Sequence, residues 1–355
     1  MQMEEQKKSL DKISWQVTED EYRSDNALSY STLAKYERGG FNNLDTLFDK
    51  VESPSLTFGS VVDTLITGNE DEFNEKFLIA DLSNNLSDTL TQITKRLFTR
   101  FSDKYKSLVE IPDNELLDNI CDIPWNNHWL DKTRVKKIKE DCAGYYSLLY
   151  VAGNRSIIDS TIRTMADNAV QALKSSPATK FYFEPNNAFD DSIQRFYQLK
   201  FKIEFNGVPY RCMADELIVL EKDKIIVPID LKTSSKPEWD FFDSFINWSY
   251  SIQARLYWRI IRYNLDKDPY FKDFKLLNYK FIVVNKNTLT PLVWDFKHTT
   301  AYGSLYIPNK DIELRDPFII GEELSNYLKN KPKVPNGISI DKINNIEDWI
   351  KVEKK

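Results

Sequence analysis

Imidazole is almost missing from this sequence. His128 and His298 are the only histidines among 355 residues. That argues against a multi-histidine metal site and against a triad built on a His base. The three cysteines, Cys121, Cys142 and Cys212, are odd in number, far apart and without C-x-x-C spacing. Neither a disulfide framework nor a zinc site is expected from them. No apolar run comes near the roughly 18 residues that a membrane span needs. The opening stretch MQMEEQKKSLDKISW lacks the apolar centre of a secretion signal. These absences lead to the expectation of a soluble, cytoplasmic protein with no membrane partner.

An excess of positive charge is also lacking. The 48 basic and 54 acidic residues give a net charge of −6. A phosphate-rich partner needs Lys and Arg, so such a partner requires the basic residues to gather on one face. Aromatic residues are plentiful: 18 Tyr, 21 Phe and 8 Trp, beside only 10 Gly. That composition belongs to a packed globular chain. The length suffices for one large domain or two modest ones.

Along the chain, residues 1–26 read as a polar lead-in. SYSTLAKYERGG then reads as a helix, with Ser29 or Ser31 as N-cap and Gly39-Gly40 as the stop. In SPSLTFGSVVDTLITG, Phe58, Val61, Val62, Leu65 and Ile66 recur at helical spacing, and Gly68 ends the run. On this pattern alone it is an amphipathic core helix. Residues 80–180 are mostly helical, interrupted by the aromatic, irregular DIPWNNHWLDKTR.

The pattern changes near Phe196. Leu199, Phe201, Ile203 and Phe205 alternate with Gln198, Lys200, Lys202 and Glu204, and Asn206-Gly207 signals a hairpin. KIIVPIDLKTS follows as a buried strand, and FFDSFINWSYSIQARLYWRIIRYN as one long helix. KLLNYKFIVVN and TPLVWDF add strands, and EELSNYLKNKPKVP a last helix. This order predicts an α/β core, a central sheet flanked by helices behind a helical N-terminal part.

One constellation suggests chemistry. Asp215 and Asp230 fall at the ends of successive strands, so pairing of those strands brings two carboxylates to one point. Two such anions are costly together unless a cation neutralises them. Mg²⁺ is the natural occupant, because it takes carboxylate oxygens, keeps waters and binds phosphate. Lys232 shares a strand face with Asp230, and the Leu231 backbone carbonyl is a further possible ligand. The metal would act as a Lewis acid and acidify a water, and Lys232 would hold that water and offset developing charge. D-x-K alone is weak. Asp273-x-Lys275 and Asp295-x-Lys297 also occur. An ordinary solvated strand end stays open as the alternative.

The stretch RCMADELIVLEKDKIIVPIDLKTSSKP resembles the core of PD-(D/E)XK nucleases of the RecB/RecE and lambda-exonuclease types. Asp215 matches their first acidic position and Asp230 and Lys232 their D-x-K, while Arg211 and Thr233 match flanking positions. TFGSVVDTLITG is similar to their G-x-x-x-H helix through Gly59, with Asp63 standing where His is usual. SYSTLAKYERGG resembles an N-terminal helix of RecE-like phage nucleases. YSIQARLYW resembles the Q-x-x-x-Y helix through Gln253 and Tyr257, with Tyr250 on the same face.

The resemblance covers about residues 27–80 and 165–300, and the blocks keep the family's order. It implies a restriction-endonuclease-like fold over residues 27–330, with a helical insertion at about 80–165 and a tail at 331–355. It implies a Mg²⁺-dependent DNA exonuclease, with Mn²⁺ as a substitute and no iron–sulfur cluster. Asp215, Asp230 and Lys232 would be catalytic. Asp63 is a further candidate metal ligand. The family's usual Glu falls near Gln198, and Glu184 is a candidate replacement. Gln253, Tyr257 and Tyr250 would contact DNA, with Arg211 and Thr233 as further candidates. The implied setting is phage or mobile-element recombination or replication in the host cytoplasm. The implied partners are linear duplex ends, other copies of the chain and a single-strand annealing or recombination protein. The alternatives are a structure-specific or single-strand endonuclease and a non-catalytic DNA-binding relic.

Overall fold

A computed structural model describes residues 9–330 apart from 45, 50–52 and 82–85. The tail expected at 331–355 lies outside the described residues. Helix α1 (Glu19–Ser24) is capped by Thr18 in a reciprocal box with Glu21. Helix α2 (Tyr30–Gly39) starts at Ser29, whose hydroxyl takes the Thr32 N–H, and stops at Gly40. Helix α3 (Pro54–Thr67) starts at Ser53 with Pro in its first turn and stops at Gly68. Then come α4 (Glu70–Lys76) and the short β1 (Phe77–Ile79). Residues 9–26, the described part of the expected lead-in, are not loose. Leu10 and Tyr22 are buried among them, and the Trp15 N–H donates to the Lys200 carbonyl of the central sheet.

The next segment is helical: α5 (Asp88–Phe101), α6 (Asp113–Ile120) and α7 (Asp131–Ala152). Leu90, Ile93 and Leu97 of α5 pack on Val135, Ile138 and Tyr146 of α7 in an apolar cluster of their own. Strand β2 (Ser156–Ile158) pairs in parallel with β1, Phe77 opposite Ser156, so the two ends of this segment are pinned together. Helix α8 (Ser160–Ser175) follows.

The central sheet begins with β3 (Ile193–Phe205) and β4 (Val208–Leu220), joined at Asn206 and Gly207 with φ of 50° and 73°. Two positive φ values in a two-residue loop suit the right-handed strand twist. Strand β5 (Ile225–Ser234) leads to α9 (Phe241–Asn247) and α10 (Tyr250–Lys267). The expected single helix is therefore two, broken at Trp248 and Ser249. After β6 (Lys275–Leu276) come β7 (Tyr279–Asn285), β8 (Pro291–Phe296), the hairpin β9 (Leu305–Ile307) and β10 (Ile312–Leu314), and α11 (Pro317–Lys329).

The order β3-β4-β5-β7-β8 is antiparallel except for the parallel β5–β7 pair, so the sheet is mixed. Helices cover both faces. Phe201, Leu217, Ile226 and Phe281 join Ile252, Leu256 and Ile260 of α10 on one face. Ile218, Val227, Ile229 and Ile282 join Val61 and Val62 of α3 and Ala166 and Ala169 of α8 on the other. Neighbours such as Ile226 and Val227 face opposite ways, as the strand pleat requires. Burial on both faces accounts for the nearly continuous apolar run of β5.

Candidate active site

The site lies where β4 and β5 part. Their ladder ends at the pair Glu216–Ile229. One further step of that register puts Asp215 opposite Asp230. There the Asp215 carboxylate replaces the ladder, its Oδ2 accepting the Leu231 N–H at 2.9 Å. Across β4 the same row reaches Gln198, the one position between Ile193 and Phe205 without a ladder partner. Gln198 has φ 53°, an unfavourable left-handed conformation for a non-glycine residue. Gln198, Asp215 and Asp230 thus form a polar row across three adjacent strands.

Asp230 is fully buried, and Lys232, 19 % exposed, pairs with its Oδ2. The amide of buried Gln253 on α10 donates to its Oδ1. The Lys232 Nζ also lies 5.1 Å from the centre of the Tyr250 ring. Burial raises the Asp230 carboxyl above its ordinary range, more than Lys232 lowers it. Asp215 is raised well above that range by burial, and then by the charges of Asp230 and Asp63. Burial would lower the Lys232 ammonium, but Asp230, then Tyr250 and Asp215, together hold it above the usual lysine value. One lysine therefore stands against a buried row that is short of positive charge.

The donor set fits a hard divalent cation. Two carboxyls held above their usual range by burial, Asp215 further by the charge of Asp230, would ionise if such a cation came between them. Among the described residues no three His, Cys, Asp or Glu side chains gather into a metal-holding group. A two-carboxylate site suits Mg²⁺, which completes its shell with water and phosphate.

The remaining candidates fall into two groups. Some border the site. Asp63 on α3 lies within electrostatic reach of Asp215, and burial pushes its carboxyl up to about 6, with Asp230 adding to the effect. Its two oxygens accept the Gln198 amide at 3.2 and 3.0 Å. The two residues that stand where the resembled pattern has His and Glu thus engage each other. A Cβ on Gly59 would lie 3.4 Å from Thr233 Oγ1, an ordinary contact distance, so α3 runs beside β5 here without requiring glycine.

Of the others, Arg211 and Glu184 are drawn away from the row and the expectation for them is corrected, whereas Gln253 and Tyr257 stay beside it but are buried. Arg211 is buried, donating to the carbonyls of Tyr22, Asp25 and Arg23, and so ties down the N-terminal segment instead of facing a strand of DNA. Glu184 is 3.7 Å from Arg195 with its side chain 55 % exposed, and does not join the carboxylate row. Gln253 and Tyr257 are 5 % and 7 % exposed. Gln253 holds Asp230 from inside, and the Tyr257 ring packs at 6.2 Å on Tyr279. Neither is open to a nucleic acid strand.

Two neighbours escaped the sequence reading. Buried Tyr279 on β7 feels the charges of Asp230 and Asp215, and a tyrosine opening a nearly continuous buried strand carries no signal of that. Tyr30 sits 6.4 Å from Tyr250, ring to ring, and feels Lys232. It opens the helix already singled out, so its signal was present.

No family model and no curated protein matches the chain. A solved structure from Eubacterium rectale, described as a "Putative exonuclease", is similar at 14% identity and TM-score 0.43, over 89% of this chain and 87% of that one. A score of that size leaves the fold resting on the sheet and helices above. No helix among the described residues is long and apolar enough to cross a membrane.

Proposed function

We propose that this chain is a metal-dependent DNA exonuclease of the PD-(D/E)XK superfamily that hydrolyses phosphodiester bonds in phage or mobile-element recombination or replication. One observation carries the reading: Asp215, Asp230 and Lys232 meet where β4 and β5 part. Asp215 and Asp230, with the Leu231 carbonyl, would hold Mg²⁺ or Mn²⁺. The ion would supply Lewis acidity toward a phosphate oxygen and acidify a bound water. Lys232 orients that water and offsets negative charge on the phosphate as it is attacked in line. Tyr250 limits where the Lys232 ammonium can go. Gln253 keeps Asp230 in one rotamer from beneath. In this reading residues 27–330 are one nuclease domain with a helical insertion at about 80–165. Its partners are linear duplex ends, further copies of the chain and an annealing protein.

A second reading, a non-catalytic DNA-binding relic, is favoured by the pairing of Asp63 with Gln198. That pairing occupies the carboxylate nearest to a third ligand.

The test is incubation of linear and circular duplex with Mg²⁺, using wild type, Lys232→Ala and a chelator control. The expected outcome is Mg²⁺-dependent loss of linear DNA by wild type alone. If wild type degrades no DNA form, the enzyme reading fails. Loss of closed circles would replace the exonuclease by an endonuclease.

A further inference from the structure

Helix α9 ends at Asn247 and α10 begins at Tyr250, and the junction between them is held in an unusual way. Ser249 has φ 57°, in the left-handed region, which a non-glycine residue keeps only when its surroundings hold it there. The Trp248 carbonyl accepts two hydrogen bonds from α2, from the Tyr30 hydroxyl at 2.7 Å and from Arg38 at 3.0 Å. The Arg38 guanidinium lies 5.7 Å from the centre of the Trp248 ring. The indole is nevertheless 55 % exposed. The clamp acts on a backbone carbonyl and would work with any residue at this position. It does not explain an indole. Nor is the place remote. Tyr30 lies 6.4 Å from the Tyr250 ring, which lies 5.1 Å from the Lys232 Nζ.

An open aromatic face beside a guanidinium suits a nucleobase and its phosphate. We propose that Trp248 stacks an unpaired nucleobase of the strand being cleaved, while Arg38 takes the adjoining backbone phosphate. The nucleic acid at the site is then single-stranded, whether supplied as such or frayed from a duplex end. The placement of this base beside a cleaved phosphate rests on the nuclease reading; the stacking does not.

The test is fluorescence anisotropy with a dye-labelled oligothymidylate and an abasic strand of equal length, in chelator so that nothing is cut. Trp248→Ala is expected to weaken oligothymidylate binding about ten-fold and to leave abasic binding unchanged. Trp248→Phe keeps binding within about three-fold. It loses part of the quench of intrinsic tryptophan fluorescence that the strand produces in wild type. That comparison serves if alanine disturbs the junction. Arg38→Ala weakens both strands equally and lowers the salt slope by about one.

The proposal is overturned if wild type binds no strand, if Trp248→Ala weakens both strands alike or neither, or if Trp248→Phe is quenched like wild type. Trp248-dependent binding without any Mg²⁺-dependent cleavage would keep the platform and overturn the nuclease reading. Cleavage with no effect of Trp248→Ala on binding would do the reverse.

Discussion

The central sheet and the helical segment 88–152 bury different kinds of side chain. Inside the helical segment the buried residues are apolar except Thr94 and Arg134, and no carboxylate is among them. Around the sheet, Asp230, Glu216, Gln253, Arg211 and Arg255 are all 9 % exposed or less. Burying a charge costs several kcal/mol unless it is paired, whereas a buried aliphatic side chain contributes about 1.5–3 kcal/mol. The buried side chains of the helical segment serve its own packing. The sheet carries buried polar groups that need partners, and those nearest the parting of β4 and β5 are the ones the proposed chemistry uses.

That contrast can be broken at its strongest point first. Lys232→Ala and Asp230→Asn should each lower the initial rate of DNA hydrolysis about 1,000-fold, measured with Mg²⁺ on end-labelled duplex. Rates within ten-fold of wild type would mean that the polar row is not the active site. In the helical segment, Leu97→Ala and Ile138→Ala should each cost about 2–5 kcal/mol in urea unfolding. The rate per folded molecule should not change. A changed rate would show that the segment reaches the chemistry.

Glu216 sharpens the comparison with a smaller effect. Both its carboxylate oxygens are buried without a hydrogen-bond partner. Burial pushes its pKa from 4.5 up to about 8, opposed by Arg195. The folded state thus binds this proton more tightly than the unfolded state. Its contribution is fully present below the ordinary value and is lost as pH rises through about 8. Glu216→Gln should therefore gain about 1–2 kcal/mol near pH 9 and flatten the fall in stability between the ordinary carboxyl value of 4.5 and about 8, followed by denaturant titration in chelator. An unchanged pH profile would count against the buried carboxyl.

The smallest effect is expected at Gly59, where a Cβ would lie 3.4 Å from Thr233 Oγ1. Gly59→Ala should change stability by less than about 1 kcal/mol, helix propensity offsetting the added contact. A large loss in thermal unfolding would mean that α3 lies tighter on β5 than this contact indicates.

Much of the frame was legible because its signals are local. Ser29, Gly40 and Gly68 act on backbone groups within a turn of themselves. Asn206 and Gly207 set their own φ. The break at Trp248 was less visible, since the apolar pattern runs through it and Ser249 is no usual left-handed residue. Tyr22 and Leu10 were missed because two buried side chains in a charged stretch make no periodicity.

By itself, then, the sequence determined the α/β order of elements and the meeting of Asp215 with Asp230, since strand pleat and hairpin register follow from local pattern. Only the tertiary structure decided the partners of the long polar side chains. Asp63 is joined to Gln198 across 135 residues, and Asp230 to Gln253 across 23. Arg211 is turned to Tyr22 across 189. Several polar partners are chemically equivalent for such groups. Which of them comes within about 3 Å depends on how helices and strands pack, and no local pattern encodes that distance.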